Sequence, residues 1–90
     1  MEEYRKKINE VDSEIIKLLA KRRELSRKII RLKNETQSSI RDTARERELL
    51  TQLIVLGKKE GLDSDFVKKV FYEIIDDSVK LQNKILKQKS

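Results

Sequence analysis

Polar side chains interrupt the apolar faces of this sequence at several points, and these interruptions are the strongest candidates for a functional site. Arg22 lies between Leu18 and Leu25 in one apolar stripe. Arg45 comes one helical turn before Leu49 in another. Because guanidinium groups match carboxylates in a bidentate geometry, such cations favour a small anion with more than one carboxylate. The candidates of this kind are Arg5, Arg22, Lys33, Arg45, Glu46, Ser78 and Gln82, and Asp42 is an eighth candidate at the start of the second helix.

The absence of His and Cys limits the kinds of catalytic and metal site that this sequence can form. With no His and no Cys among 90 residues, a Ser–His triad, a thiolate nucleophile, a zinc finger and a disulfide framework are all excluded. We therefore expect no metal and no cofactor. Any catalysis would rest on orientation of the ligand and on electrostatic stabilisation.

A purely structural explanation stays open for each candidate beside the functional one. Arg22 is consistent with a side chain that snorkels to water or sets the register of paired helices. Asp42 is well placed to cap a helix on which Arg45 then faces solvent. Ser78 and Gln82 are compatible with polar residues tolerated where two helices cross.

The elements that carry these residues are predicted to be helices, in an all-α fold. With two Gly and no Pro, the sequence has few residues that favour turns, which argues against an all-β chain. Apolar residues recur at alternating steps of three and four from Met1 to Leu32. This period predicts a first helix over residues 2–34, about 50 Å long.

A second helix is predicted over about 40–59, after a polar loop at 34–39. Either Ser39 or Asp42 would cap its first amides, and Gly61 lies where a C-terminal cap belongs. Its apolar face consists of Leu49, Leu50, Leu53, Ile54 and Leu56.

A third helix is predicted to begin at Asp63 or Ser64. Gly57, inside the second helix, indicates a close approach of another backbone, since glycine there costs helix stability. The residues of the third helix expected to point inward are Val67, Val70, Phe71, Ile74, Ile75, Ile85 and Leu86.

The first helix is too long for its neighbours to cover. At about 50 Å it exceeds the second helix, at about 30 Å, so part of its apolar stripe must meet another chain. A hydrophobic content of 37% also leaves a lone domain of this size marginally stable. We therefore expect a single domain over residues 1–90, built as a three-helix protomer with one long N-terminal helix, that forms an intertwined homodimer.

Composition also bears on location and partners. With 42% charged residues, no window approaches the roughly 20 apolar residues of a membrane span. The first residues lack an apolar leader, so a cytoplasmic protein is expected. The net charge of +6 admits a nucleic-acid binder, but acids and bases interleave and few aromatics are available for stacking. We expect neither a nucleic-acid nor a membrane partner.

Several stretches of the chain, in their order and spacing, resemble one enzyme family. They are residues 5–12, 18–25, 41–50, 56–58 and 74–82, together with Lys33. The sequence resembles the all-helical chorismate mutases of shikimate metabolism over nearly its whole length. The resemblance implies a dimer of three-helix protomers that converts chorismate to prephenate by a Claisen rearrangement, on the route to Phe and Tyr.

The resemblance also implies how the substrate is gripped. Its two carboxylates would be held by Arg22 and Arg45, together with Arg5 supplied by the opposite chain. Ser78 would lie near one of these carboxylates.

Roles in the reaction itself follow from the same resemblance. Lys33 and Gln82 would face the ether oxygen whose bond to carbon breaks, and would stabilise the charge that develops on it. Glu46 and the backbone around Asp42 would bind the ring hydroxyl.

Two other functions stay open on the sequence. Related helical enzymes that eliminate pyruvate from isochorismate need an overlapping pocket, and product analysis would separate the two activities. A non-catalytic helical interaction module would explain the apolar stripe and would leave Arg22, Ser78 and Gln82 without a role.

Overall fold

A computed structural model describes residues 1–33 and 42–89 of the protein, apart from the side chains of residues 33, 88 and 89. This part of the chain holds three helices and no strand: α1 (Glu2–Lys33), α2 (Thr43–Lys59) and α3 (Ser64–Lys89). The predicted all-α fold is confirmed. The polar loop predicted at 34–39, with Ser39 as a possible cap, lies outside the described residues.

The helix α3 holds the protomer together, because it packs against both α1 and α2. The buried hydrophobic core takes Ile30 from α1, Leu50 from α2, and Val67 and Ile75 from α3. Fully burying each such side chain stabilises the fold by about 1.5–3 kcal/mol. This small core leaves most of the apolar surface of α1 uncovered.

The apolar stripe of α1 is exposed within one protomer. Residues 1–18 are all exposed, and Tyr4 and Leu18 keep 69% and 63% of their surface. The buried residues of α1 are instead Ser26 and Ile30. The periodic stripe and the buried face of α1 therefore differ, and the stripe is free to meet another surface.

Two residues predicted to lie inward are exposed in the protomer. Val70 on α3 is 37% exposed and Leu56 on α2 is 56% exposed. Both lie on faces that neither neighbouring helix covers, because the core is confined to the crossings of α3. The predictions for Val67 and Ile75 are confirmed, since both side chains are buried.

The ends of α2 follow from its sequence. Asp42 is extended, with φ −110°, and its carboxylate accepts the backbone N–H of Arg45. Of the two predicted caps Asp42 is therefore confirmed, and α2 begins at Thr43 rather than at about residue 40. Gly61 adopts φ +80°, a conformation that other residues rarely take. The N–H of Leu62 donates to the carbonyl of Gly57 at 2.8 Å, which closes a Schellman motif.

The neighbour of Gly57 is a side chain rather than the backbone that the sequence suggested. A Cβ at this position would lie 2.7 Å from Cγ2 of Val67 on α3. Because valine is stiff at χ1 and Val67 is buried, this contact cannot relax freely. The glycine therefore allows α2 to lie close to α3.

We expect Gly57→Ala to lower the free energy of unfolding by about 1 kcal/mol, since overpacking of about 1–3 kcal/mol exceeds the gain in helix propensity. Urea denaturation measures this change. In a Val67→Ala background the same substitution should become stabilising, because the clash is gone. Equal effects of Gly57→Ala in both backgrounds would contradict the close contact.

Candidate functional site

A pocket of about 200 Å³ lies where the three helices meet. Each helix contributes polar side chains to it from one face, most of them spaced by three or four residues. Six of the eight site residues predicted from the sequence line this pocket: Arg22 on α1, Asp42, Arg45 and Glu46 at the start of α2, and Ser78 and Gln82 on α3.

Hydrogen bonds join α1 to α3 across the pocket. Arg22 Nη1 donates to Ser78 Oγ at 2.6 Å, and the hydroxyl of Ser26 donates to the same oxygen at 3.3 Å. With both lone pairs of Ser78 Oγ occupied, its own O–H remains a donor for a ligand.

The amide of Gln82 is oriented by the backbone of α1. Its Nε2 donates to the carbonyl oxygen of Ser26 at 3.2 Å. A side-chain amide nitrogen carries two hydrogens, so a second N–H of Gln82 remains for a ligand in the pocket. Arg22, Ser78 and Gln82 therefore offer donors on one side of the pocket.

The cation of Arg22 is partly removed from water. Burial lowers the pKa of its guanidinium, and the charge of Asp77 raises that pKa. An arginine stays protonated at any working pH. Because Coulomb attraction grows as the surroundings become less polar, this half-buried charge attracts an anion more strongly than a surface cation does.

An ion pair lies directly beside Arg22 and Ser78. Arg23 donates to both carboxylate oxygens of Asp77, at 2.8 and 2.7 Å. The hydrogen bond from Arg23 lowers the pKa of Asp77, and the hydrogen bond to Asp77 raises the pKa of Arg23. Both side chains are nearly half exposed, so the pair contributes little to stability.

Two predicted site residues are not placed in the pocket of this chain. Arg5 lies near the N-terminal end of α1, exposed beside Glu2, Lys6 and Asn9. The side chain of Lys33 lies outside the described residues. The contribution of Arg5 to another chain's site, and that of Lys33, stay predictions.

Ser26 is the pocket residue that the sequence analysis missed. It is the buried polar residue of the described chain. Its main-chain oxygen accepts a hydrogen bond from Gln82, and its hydroxyl donates one to Ser78. The available signal was its spacing, one turn after Arg22 and three residues before Ile29. It was overlooked because the apolar stripe passes through Leu25 instead. The remaining lining residues are apolar: Ile29, Leu49, Ile75 and Val79.

Neither a candidate metal site nor a membrane-spanning helix is found in residues 1–33 and 42–89. No group of three or more acidic side chains there converges as a metal site. No helix in these ranges is long and apolar enough to cross a membrane.

Together, fold and site define an all-helical domain whose interhelical pocket is lined by guanidinium, hydroxyl and amide groups. Residues 4–83 match the family model of chorismate mutase type II. The chain belongs to the chorismate mutase type II family, as the resemblance predicted.

Relatives of known name agree with this assignment. The chain is 45% identical over 94% of its length to the bifunctional chorismate mutase/prephenate dehydratase of Buchnera aphidicola from Acyrthosiphon pisum, and 42% identical over 93% to that of Escherichia coli K12. It spans 22% of the length of each. It is also 33% identical to the chorismate mutase of Methanocaldococcus jannaschii, over 96% of this chain and 87% of the relative.

Proposed function

We propose that this chain is an isomerase that catalyses the Claisen rearrangement of chorismate to prephenate. One observation carries the proposal: Arg22, Ser78 and Gln82 present donors to the pocket into which Arg45 and Glu46 also face. This set matches the chemistry of chorismate, which has two carboxylates, an ether oxygen and a ring hydroxyl. The family's name supports the same reaction.

Binding would fold the substrate into its reactive shape. Arg22 and Arg45 grip the two carboxylates, and the O–H of Ser78 donates to one of them. With both ends held, the enolpyruvyl arm lies over the ring, so that the carbon atoms to be joined are close together. Holding this geometry removes much of the entropic cost of the rearrangement.

The breaking bond would then be stabilised electrostatically. Negative charge grows on the ether oxygen as the C–O bond lengthens, and the second N–H of Gln82 donates to it, with Lys33 as the other donor. These interactions are stronger in the transition state than in the ground state, so they accelerate the reaction. No proton transfer or covalent intermediate is required.

The ring hydroxyl would be bound at the start of α2. Glu46 is half-buried in the pocket, where its carboxylate would accept a hydrogen bond from the ring hydroxyl. The carboxylate of Asp42 accepts the backbone N–H of Arg45, and its main-chain carbonyl accepts that of Glu46 at 3.0 Å. The second lone pair of this carbonyl would contribute to the same contact.

A direct assay tests this function. Purified protein is incubated with chorismate, the loss of chorismate absorbance is followed, and prephenate is identified as the product. Arg22→Ala serves as the control and should lack the activity. Parallel incubation with isochorismate, with detection of released pyruvate, tests the lyase alternative. Turnover of neither substrate by the folded protein would indicate a non-catalytic helical module.

The proposed enzyme is an intertwined homodimer, with residues 1–90 as one domain in the cytoplasm. Two observations support the dimer. The apolar stripe of α1 is exposed and one chain cannot cover it, and Arg5 lies in the exposed first half of the same helix. In such a dimer each site takes Arg22 from one chain and Arg5 from the other.

Mixing two inactive variants tests this arrangement. Arg5→Ala and Arg22→Ala chains, unfolded and refolded together in equal amounts, should regain about a quarter of the parent activity, since half the dimers are mixed and each has one intact site. Each variant refolded alone is the control. Absence of recovery, with mixed dimers demonstrated by mass spectrometry, would place Arg5 outside the partner's site.

A further inference from the structure

A second cavity, of about 260 Å³, shares Arg22 and Ser78 with the site pocket. Its other charged lining residues are Asp77, Glu73 and Arg23, none of which lines the site pocket. The catalytic candidate Arg22 therefore faces a ligand pocket and also an acidic residue of its own protein.

Asp77 is held by its neighbour on α1. Arg23 directly follows Arg22, and Asp77 directly precedes Ser78, so the two helices are joined by adjacent contacts. Both oxygens of Asp77 accept hydrogen bonds from the Arg23 fork. The charge of Asp77 nevertheless acts on Arg22, whose pKa it raises.

We infer that Arg23 is a positioning residue, which keeps the Asp77 carboxylate engaged and so leaves the Arg22 guanidinium to the substrate. This inference rests on the proposed function. An unrestrained carboxylate in the same cavity as a half-buried guanidinium would pair with it, since charge-assisted bidentate pairing is strong. The substrate would then compete with Asp77 for Arg22.

Competition of this kind has a kinetic signature. Arg23→Ala should raise KM for chorismate about tenfold, because the binding-competent state becomes a minor one. The value of kcat should change much less, since saturating substrate displaces Asp77. Asp77→Asn alone should leave both constants near those of the parent.

The double variant tests whether Arg23 positions Asp77 or whether the Arg23–Asp77 pair only bridges α1 and α3. Arg23→Ala/Asp77→Asn should recover the parent KM, because the competing carboxylate is no longer charged. If the pair acted only as a bridge between α1 and α3, both single variants would be impaired and the double variant would not recover. That result would overturn the inference.

Two controls exclude an effect of net charge. Arg27→Ala removes the same charge from the same helix, where Arg27 pairs with Glu24 at 2.9 Å, and should leave KM unchanged. Arg23→Ala/Glu24→Gln restores the net charge without altering Asp77, and should keep the raised KM. Recovery in this second double variant would assign the effect to charge alone and would overturn the inference.

A structural readout keeps the inference separate from the proposed function. In a crystal structure of Arg23→Ala without substrate, Asp77 should lie within hydrogen-bond distance of Arg22. If the parent protein does not turn over chorismate, the proposed function fails while this structure still tests the rearrangement. Asp77 remaining apart from Arg22 in the variant would overturn the inference whatever the activity.

Discussion

Arg22→Lys is expected to lower kcat/KM for chorismate by about 10²-fold, since each lost charge-assisted hydrogen bond costs about 1.5–3 kcal/mol. The guanidinium reaches Ser78 at 2.6 Å and also faces the pocket, a fork that serves two partners at once. A lysine ammonium is a point charge and cannot reproduce that geometry. Steady-state kinetics with chorismate measures the loss.

Arg27→Lys is the matched control for this substitution. It makes the same chemical change five residues further along α1, in a pair with Glu24 outside the pocket, and should leave kcat/KM near the parent value. Circular dichroism of both variants establishes that the helices are retained. Near-parent turnover by a folded Arg22→Lys protein would place the carboxylate clamp elsewhere.

Gln82→Glu is expected to make activity depend on acid pH, with a loss of about 10²–10³-fold at pH 7. An ionised carboxylate cannot donate to the ether oxygen, and only about one in 500 glutamates of ordinary pKa is protonated at that pH. Activity should therefore rise as pH falls toward the carboxyl pKa. The carbonyl of Ser26, which now accepts from Gln82, would also favour the protonated form.

The pH dependence of kcat/KM, compared with that of the parent, measures this effect. Gln82→Leu removes the donor without adding a titratable group, so it should be impaired at every pH. Asn83→Asp makes the same amide-to-acid change at the neighbouring exposed position and should keep the parent profile. A Gln82→Glu protein with an unchanged profile would remove Gln82 from the ether oxygen.

Much of the fold was predictable because a helix is specified by residues that are close together in the sequence. The apolar period predicted the helix α1, Asp42 was one of two candidate caps for the start of α2, and Gly61 marked the end of α2. The neighbour of Gly57 was not predictable in this way. Its closeness to Val67 depends on how α2 crosses α3, which no local pattern specifies.

Most of the polar residues that line the pocket were predictable for a related reason. An Arg in an apolar stripe can be recognised in the sequence because it interrupts the apolar pattern. The same holds for a Ser and a Gln on the buried face of α3. Ser26 does not break the stripe that the sequence displays, because that stripe passes through Leu25. Its burial became visible only with α3 in place.

By itself the sequence determined the helical class, the approximate places of the helices and most of the polar residues that line the pocket. The tertiary structure alone decided which face of α1 is buried, that Arg22 donates to Ser78, and that Arg23 holds Asp77. The reason is physical: helical periodicity is set by neighbours within a few residues. The rotation and register of α1 against α3 are set by side chains far apart in the sequence, such as Arg22 and Ser78, which lie 56 positions apart.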